Sequence, residues 1–268
     1  MYKQNNRQKN NTQSQTMGCF VGGTLVKTGD GYWKPIKDIQ VGDMVMSMPE
    51  NGIGKPVPKR VINTFQYENK EIWYVGTTRL DNSGFITENF AVTPNHPFMV
   101  YGYVNNTTKF FDYLERDDGT TYYDEPRWTR VDQLRMGDIL INSSGNYYVV
   151  ACVKPFYKSK LDKYAWLQRG QIMGGWQGSL EGAIANPNSF DLFGQIYISD
   201  NHTRTNEIEP LPENEVMATP YYNRDGFTGT MVKGIAYPAY TTTVYNIEVE
   251  DYHTYFAGRT GILVHDMH

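Results

Sequence analysis

The sequence predicts a mostly β fold, and three observations support that class. The 268 residues include 25 Gly and 13 Pro, which end strands and form turns. Aromatic residues make up 14% of the chain, led by 21 Tyr, and aromatic side chains are common in strands. The apolar residues fall in short segments between Gly, Asp and Asn rather than at helical spacing. A hydrophobic share of 40% is sufficient for one or two domains with cores of their own.

The charge and the cysteine content exclude several classes of protein. The 25 Lys and Arg against 29 Asp and Glu give a net charge of −4, whereas a general nucleic-acid binder normally carries a basic excess. Two cysteines are too few for a disulfide-rich scaffold or a cysteine-ligated zinc site. The sequence has no apolar run of about 18 residues and no apolar secretory signal near its start. We therefore expect no nucleic-acid, membrane or metal partner, and a cytoplasmic location.

Residues 1–18 differ in composition from the rest of the sequence. They contain three basic residues, no acids and a run of Asn, Gln, Ser and Thr, so they cannot bury enough apolar surface to order themselves. We predict a disordered N-terminal tail that ends at Gly18. Beyond it, short apolar segments predict strands at 23–28, 43–48, 71–77, 90–93 and 98–104.

A pattern of 15 residues occurs twice at a constant offset of 95 residues. The segment from Trp33 to Ser47 returns from Trp128 to Asn142, with the Trp, three apolar positions and a Gly-Asp pair retained. We interpret each copy as a short helical turn that packs its apolar side, followed by a Gly-Asp turn and a strand. Two copies predict a pseudo-two-fold domain rather than a solenoid, which needs three or more units.

The segment 155–235 matches neither copy of the repeat. It is Gly-rich in part, and a short helix is expected around Lys158–Gln168. We interpret the segment as an insertion or subdomain within the duplicated fold. The chain is then divided into a tail (1–18), a first part of the main domain (19–154), the insertion (155–235) and a C-terminal part (236–268).

Cys19 stands where the tail meets the folded body, directly after Gly18. A lone cysteine is usually a buried structural thiol, and Cys152, in an apolar run, is expected to be one. At the tail boundary, however, Cys19 could attack the carbonyl of Gly18 and convert the Gly18–Cys19 amide into a thioester. This intramolecular reaction avoids the entropy cost of joining two reactants, but it needs a base or a lowered thiol pKa, and donors for the oxyanion. The spacing alone leaves both readings open.

The segment from Thr93 to Pro97 (T-P-N-H-P) predicts a stiff loop, because Thr93 and His96 each precede a proline and are biased towards extended backbone. His96 could hold or protonate a leaving amide nitrogen, while Thr93 or Asn95 donates to an oxyanion. Taken alone, the segment is better explained as a Pro-rich turn whose Asn and His satisfy local backbone groups.

Two apolar, strand-like segments near the end of the chain each lead to a histidine. The first leads to Asp251 and His253, and the second leads to His265 and Asp266. Neither segment has the helical or His-x-His spacing that would support a metal site.

Together, these blocks resemble the Hint (Hedgehog/intein) family of self-processing domains. The match lies in C-F-x-x-G-T-x-V from Cys19, the repeated W-x-x-I-x-x-I-x-x-G-D-x-V stretch, T-x-x-H ending at His96, V-Y-N-I-E-V-E-D-x-H ending at His253, and G-I-L-V-H-D ending at Asp266. These blocks follow the family's order and cover roughly 19–153 and 236–266. The resemblance implies an all-β horseshoe whose termini meet at one site, and intein-like cleavage domains of bacteria and phages are the closer comparison.

The resemblance also implies a role for each matched residue. Cys19 matches the nucleophile of an N-to-S acyl shift, and Thr93 and His96 match the pair that strains and protonates the scissile amide. His253 matches a histidine that assists the C-terminal step, and His265 matches the penultimate histidine. The other polar residues of these blocks are candidates for oxyanion or auxiliary roles: Asn95, Asn246 and Asp251.

Three positions depart from the family pattern. Asp266 replaces the terminal Asn, whose amide can cyclise to a succinimide, and Met267 has no hydroxyl or thiol to accept an acyl group. Asn246 stands where the family frequently has Asp, and it cannot act as a carboxylate that tunes the Cys19 proton. Full splicing is therefore not expected, and the surviving chemistry is thioester formation followed by cleavage of the Gly18–Cys19 bond.

Two function classes remain open: an autocatalytic cleavage domain, and a decayed Hint fold that serves as a structural or binding module. The first is favoured because the five residues with implied roles are all present. The fold alone cannot decide between the two classes, because function depends on the residues of the site. A cleavage domain would act once, on its own N-terminal flank, with water or an external nucleophile as acceptor and no cofactor. We expect a monomer that is cytoplasmic, or virion-associated if phage-encoded.

Overall fold

The computed structural model describes residues 17–80, 88–105, 119–159, 164–168, 182–190, 196–198, 220–222, 228–230 and 239–266, and these residues are mostly β. The strands are β1 (Phe20–Val21), β2 (Leu25–Lys27), β3 (Trp33–Pro35), β4 (Met44–Ser47), β5 (Val57–Glu71), β6 (Trp73–Arg79), β7 (Glu88–Val92), β8 (Pro97–Val104), β9 (Thr120–Arg130), β10 (Asp138–Ile141), β11 (Tyr147–Pro155), β12 (Tyr157–Lys158), β13 (Ala165–Gln168), β14 (Gly182–Phe190), β15 (Ile196–Ile198), β16 (Pro220–Tyr222), β17 (Thr228–Thr230), β18 (Thr241–Val249), β19 (Thr254–Ala257) and β20 (Ile262–His265). The predicted strands after the tail are confirmed. Of the predicted disordered tail, residues 1–16 lie outside the described residues.

Most of the strands form one antiparallel sheet of fourteen strands, in the order β3-β2-β19-β20-β8-β10-β11-β6-β7-β1-β18-β5-β4, with β9 beside β8. Strand β1 lies between β7 and β18, so the first and last blocks of the sequence meet in the middle of the sheet. The hairpin of β19 and β20 joins β2 to β8. The predicted mostly β fold with adjoining terminal blocks is therefore confirmed.

The two copies of the sequence repeat adopt the same local structure. Each contains a single 3-10 turn, at Ile36–Asp38 and Val131–Gln133. Gly42 and Gly137 follow with φ of 97° and 92°, a left-handed conformation that a side chain would strain. The carboxylate of the Asp after each Gly accepts a hydrogen bond from the backbone N–H three residues before it, over 2.9 and 2.7 Å. The repeat in the sequence therefore corresponds to a repeat in the structure.

Strand β1 is buried on both faces. Successive side chains of a strand point to opposite faces, so Cys19 and Phe20 enter different parts of the core. Phe20 packs in the larger cluster, which includes Phe98 and Tyr255, whereas Cys19 lies in a second cluster with Phe156. The first two residues after Gly18 are therefore both anchored in the core.

The short helix expected around Lys158–Gln168 is wrong. Residues in this stretch form β12 and β13 of a separate four-stranded sheet, in the order β12-β13-β14-β15. Ala165 pairs with Ala185 of β14, and both are buried in the same cluster as Cys19, so pairing and burial override local helical preference. The limits of an insertion at 155–235 stay a prediction. No helix in the described part of the chain is long and apolar enough to cross a membrane.

Candidate functional site

The backbone of Cys19, directly before β1, is hydrogen-bonded to Thr93, directly after β7. The Cys19 N–H donates to Thr93 Oγ1 over 2.8 Å, and the Thr93 N–H donates back to the Cys19 carbonyl over 2.9 Å. Both residues are buried. Because the Cys19 N–H belongs to the Gly18–Cys19 peptide bond, the threonine hydroxyl fixes the orientation of that bond.

The Cys19 thiol lies in an apolar environment. Burial raises its pKa to about 12, and the positive charge of Lys70 acts in the opposite direction. The Sγ atom lies 3.6 Å from the Met17 carbonyl oxygen, to which the thiol donates a weak hydrogen bond. At neutral pH the thiol is therefore protonated, and any attack by sulfur requires removal of that proton during the reaction.

His96 packs directly against the residue before Cys19. A Cβ atom on Gly18 would lie 2.6 Å from the Cα of His96 and 2.7 Å from its Nδ1. The imidazole is completely buried, with its centroid 4.3 Å from that of the Phe20 ring. Within the described residues, neither ring nitrogen has a hydrogen-bond partner of good geometry. The ring is therefore positioned by packing, beside the Gly18–Cys19 bond.

The ionisation of His96 follows from its burial. Desolvation lowers its pKa to about 3; the nearby main chain of Gly18 raises this pKa in part, and the electrostatic interaction with His265 lowers it further. The imidazole is accordingly neutral at neutral pH. It can accept a proton only for a short time, which suits the transfer of a proton rather than its storage.

The loop from Thr93 to Pro97 is fixed by the second copy of the repeat. The His96 N–H donates to the Thr93 carbonyl over 3.1 Å and closes a turn, with Asn95 half-buried in it. The Val131 N–H, from the second 3-10 turn, donates to the His96 carbonyl over 3.0 Å. The duplicated element thus positions the loop that bears Thr93 and His96.

Asp266 forms the centre of a second group of residues at the end of β20. It is completely buried, and its Oδ2 accepts a hydrogen bond from the Val249 N–H over 2.7 Å. Its backbone carbonyl oxygen accepts one from Asn246 Nδ2 over 2.6 Å. The Asn246 amide is therefore a donor to the carbonyl of residue 266.

His253 and His265 flank the Asp266 carboxylate. His253 Nδ1 lies 3.6 Å from Asp266 Oδ2, and His265 Nδ1 lies 3.6 Å from Oδ1. The two imidazoles are nearly parallel, with centroids 6.4 Å apart. His265 Nε2 lies 3.0 Å from Glu50 Oε1, and the indole of Trp128 packs edge-on at 4.9 Å. Both predicted histidines therefore lie next to the buried Asp266 carboxylate.

Tyr255 connects the two groups of residues. Its hydroxyl donates to Asn246 Oδ1 over 2.8 Å, which leaves the Asn246 amino group to face the carbonyl of residue 266. Its ring centroid lies 6.5 Å from that of His96. Burial holds the pKa of Tyr255 well above its usual range, and charge on Cys19 or Asp266 raises it further. The hydroxyl is thus a permanent donor between the two groups.

The family was identified by a comparison with models of known protein families. The model described as "Hint module" matches residues 7–150, which is more than half of the chain. This chain belongs to the Hint family. The Hint resemblance seen in the sequence is thereby confirmed.

Two other comparisons give related proteins. The Hint chain is 46% identical over 44 residues to the Tiggy-winkle hedgehog protein of Danio rerio, a match that spans 16% of this chain and 11% of that protein. Its structure is similar to the bacterial intein-like domain from Clostridium thermocellum, at 19% identity and a TM-score of 0.45, covering 92% of this chain and 97% of that chain. It is also similar to a DnaB intein from Synechocystis sp. PCC 6803, at 13% identity and a TM-score of 0.44, covering 94% and 99% of the two chains.

Within this Hint chain, most of the candidate residues lie in two groups, one around the Gly18–Cys19 bond and one around Asp266. Asp251 does not: it is exposed and its carboxylate pairs with Lys59 Nζ over 2.7 Å. Sequence reasoning did not find Tyr255 or Glu50, whose roles come from contacts between distant strands. The described residues include no group of three or more His, Cys, Asp or Glu placed to hold a metal ion.

Proposed function

We propose that this Hint protein cleaves its own Gly18–Cys19 bond through a thioester. The observation that carries the proposal is the pair of contacts on that bond: the Thr93 hydroxyl accepts a hydrogen bond from its N–H, and His96 packs against Gly18. An oriented scissile peptide bond, with the thiol on the adjoining residue, and a neutral imidazole packed against Gly18 meet two requirements of an intramolecular acyl shift.

In the proposed reaction, Cys19 Sγ attacks the Gly18 carbonyl carbon and the bond from that carbon to the Cys19 nitrogen breaks. The thiol proton moves to the departing nitrogen, with His96 as its carrier, and Thr93 keeps that nitrogen in place. The products of this step are a thioester between Gly18 and Cys19 and a free α-amino group. Water or an external nucleophile then takes the acyl group, which restores the thiol and releases the segment before Cys19.

The alternative is a Hint fold that has lost its activity and serves as a binding or structural module. It is favoured by one observation, the complete burial of a thiol whose pKa is about 12. The two functions make opposite predictions for the integrity of the chain.

The test is intact-mass spectrometry of the purified protein during incubation with dithiothreitol or hydroxylamine near pH 7. We expect loss of residues 1–18, abolition of that loss by Cys19→Ala, and retention by Cys152→Ala, which removes the other buried thiol. A full-length mass that does not change, or cleavage that survives Cys19→Ala, would favour the module and reject the proposal.

A further inference from the structure

Met17, two residues before the proposed scissile bond, is anchored to the folded domain. Its side chain packs against the core cluster that contains Cys19, as do the side chains of Tyr67 and Tyr240. The Tyr67 hydroxyl donates to Met17 Sδ over 2.9 Å, and the Cys19 thiol donates to the Met17 carbonyl. Both the side chain and the main chain of Met17 are therefore in contact with the domain.

The site that holds Met17 is built on rigid strands. Tyr67 lies on β5 and pairs with Val244 of β18, which is the neighbour of β1. Lys70, farther along β5, places Nζ 5.6 Å from the centroid of the Tyr67 ring. The same lysine is the cation that opposes the rise in the pKa of the Cys19 thiol. Tyr67 is thus bracketed by Met17 and Lys70, close to the nucleophile.

Gly18 explains why an anchor at residue 17 is needed. The close approach of His96 leaves no room for a side chain on residue 18. The nearest side chain that can hold the segment before Cys19 is therefore that of Met17. Methionine suits an irregular pocket, because its unbranched side chain adapts in shape and its sulfur accepts weak hydrogen bonds.

We propose that Tyr67 and the surrounding apolar surface form a recognition subsite for the side chain two residues before Cys19, with a preference for long, unbranched apolar groups. The inference rests on the proposed cleavage, whose specificity it defines. Correct placement of residue 17 holds the Gly18 carbonyl in reach of Cys19, so loss of the anchor slows the reaction without changing the nucleophile.

Cleavage rates of variants in the full chain test the subsite. We expect Met17→Ala to slow cleavage about 10-fold and Met17→Asp more, because each loses the apolar contact of the partly buried side chain with the core. Tyr67→Phe should slow the wild-type chain but have no further effect on Met17→Leu, which keeps the packing and lacks the sulfur. Matched controls are Met44→Leu and Tyr122→Phe, whose side chains are exposed. Melting temperatures of all variants separate slow cleavage from loss of folding.

A readout that does not require cleavage keeps the two proposals apart. In the Cys19→Ala chain, the methyl NMR resonance of Met17 should be displaced from its random-coil position by the Tyr67 ring and should move on Tyr67→Leu. A random-coil resonance, or equal cleavage by Met17→Ala and wild type, would reject the subsite. A displaced resonance in a protein that never cleaves would reject the proposed cleavage and leave an occupied subsite.

Discussion

At Gly18, a hydrogen atom in place of a side chain decides how closely the backbone approaches His96. The distances of 2.6 and 2.7 Å from a Cβ position to His96 are shorter than real contacts allow. One partner is backbone, and the other is a ring held by Phe20 and Phe98, so neither can move away cheaply. The glycine is needed for a close approach and not for a turn.

Gly18→Ala should therefore slow the proposed cleavage by about 10- to 100-fold, because it displaces the reacting carbonyl by a fraction of an ångström or more. The rate is measured by intact-mass spectrometry. Gly31→Ala is the control, since Gly31 has a φ of 89° and open space around it. It should lower the melting temperature without changing the rate, and equal rates for Gly18→Ala and wild type would contradict the assigned contact.

At the scale of elements, Glu88 joins strand β7 to the turn between β19 and β20. It is buried, and its Oε2 accepts a hydrogen bond from the Thr260 N–H over 2.7 Å. A Cβ on Gly258, in the same turn, would lie 2.9 Å from the Glu88 carboxyl carbon. Burial raises the pKa of Glu88 to about 7, although hydrogen bonds from the turn lower it in part.

This pKa predicts how stability depends on pH. A carboxyl group whose pKa is raised on folding contributes stability that is complete below about 4.5 and lost as the pH rises through about 7. Glu88→Gln stays neutral, so the fall in unfolding free energy between pH 5 and 8 should shrink by about 1–3 kcal/mol. Urea unfolding at both pH values measures it, with exposed Glu125→Gln as the control. The same pH dependence in Glu88→Gln and wild type would contradict the prediction.

The elements differ in how well the sequence predicts them. The strands at 23–28, 43–48, 71–77, 90–93 and 98–104 and both 3-10 turns could be predicted, because their apolar patterns and Gly-Asp turns are local signals, whereas the long strands β5 and β9 were not predicted. The stretch at Lys158–Gln168 could not, since β13 is a strand only through its pairing with β14. Tyr255 and Glu50 carry no local signal, because their partners Asn246 and His265 are brought to them by the fold. The tertiary contacts, and not the composition, define the site.

At the scale of the whole molecule, the sheet order brings both ends of the described chain to one region. Strand β1 pairs with β18, and Tyr255 lies between His96 and Asn246. The carbonyl of Asp266 has a donor, Asn246, even though the side chain at 266 is a carboxylate. An amide nitrogen at this position could attack its own carbonyl to form a succinimide, whereas a carboxylate would have to form a strained anhydride.

Asp266→Asn should therefore release the two residues after position 266, which wild type should retain. Intact mass after long incubation measures the shorter species. Asn246→Ala in the Asp266→Asn background should reduce its amount, since the carbonyl loses its donor. If His265→Ala in that background left the yield unchanged, the role assigned to His265 would be wrong.

The burial of both cysteines limits which molecules can reach them. Cys19 and Cys152 are 0% and 4% exposed, and burial raises both thiol pKa values. Small alkylating agents therefore reach either sulfur only when the sheet opens locally, so the rate of thiol labelling measures the frequency of that opening. Any external acyl acceptor in the proposed reaction needs the same local opening to reach the thioester. The size of the acceptor, as much as its nucleophilicity, would set the rate of acyl transfer.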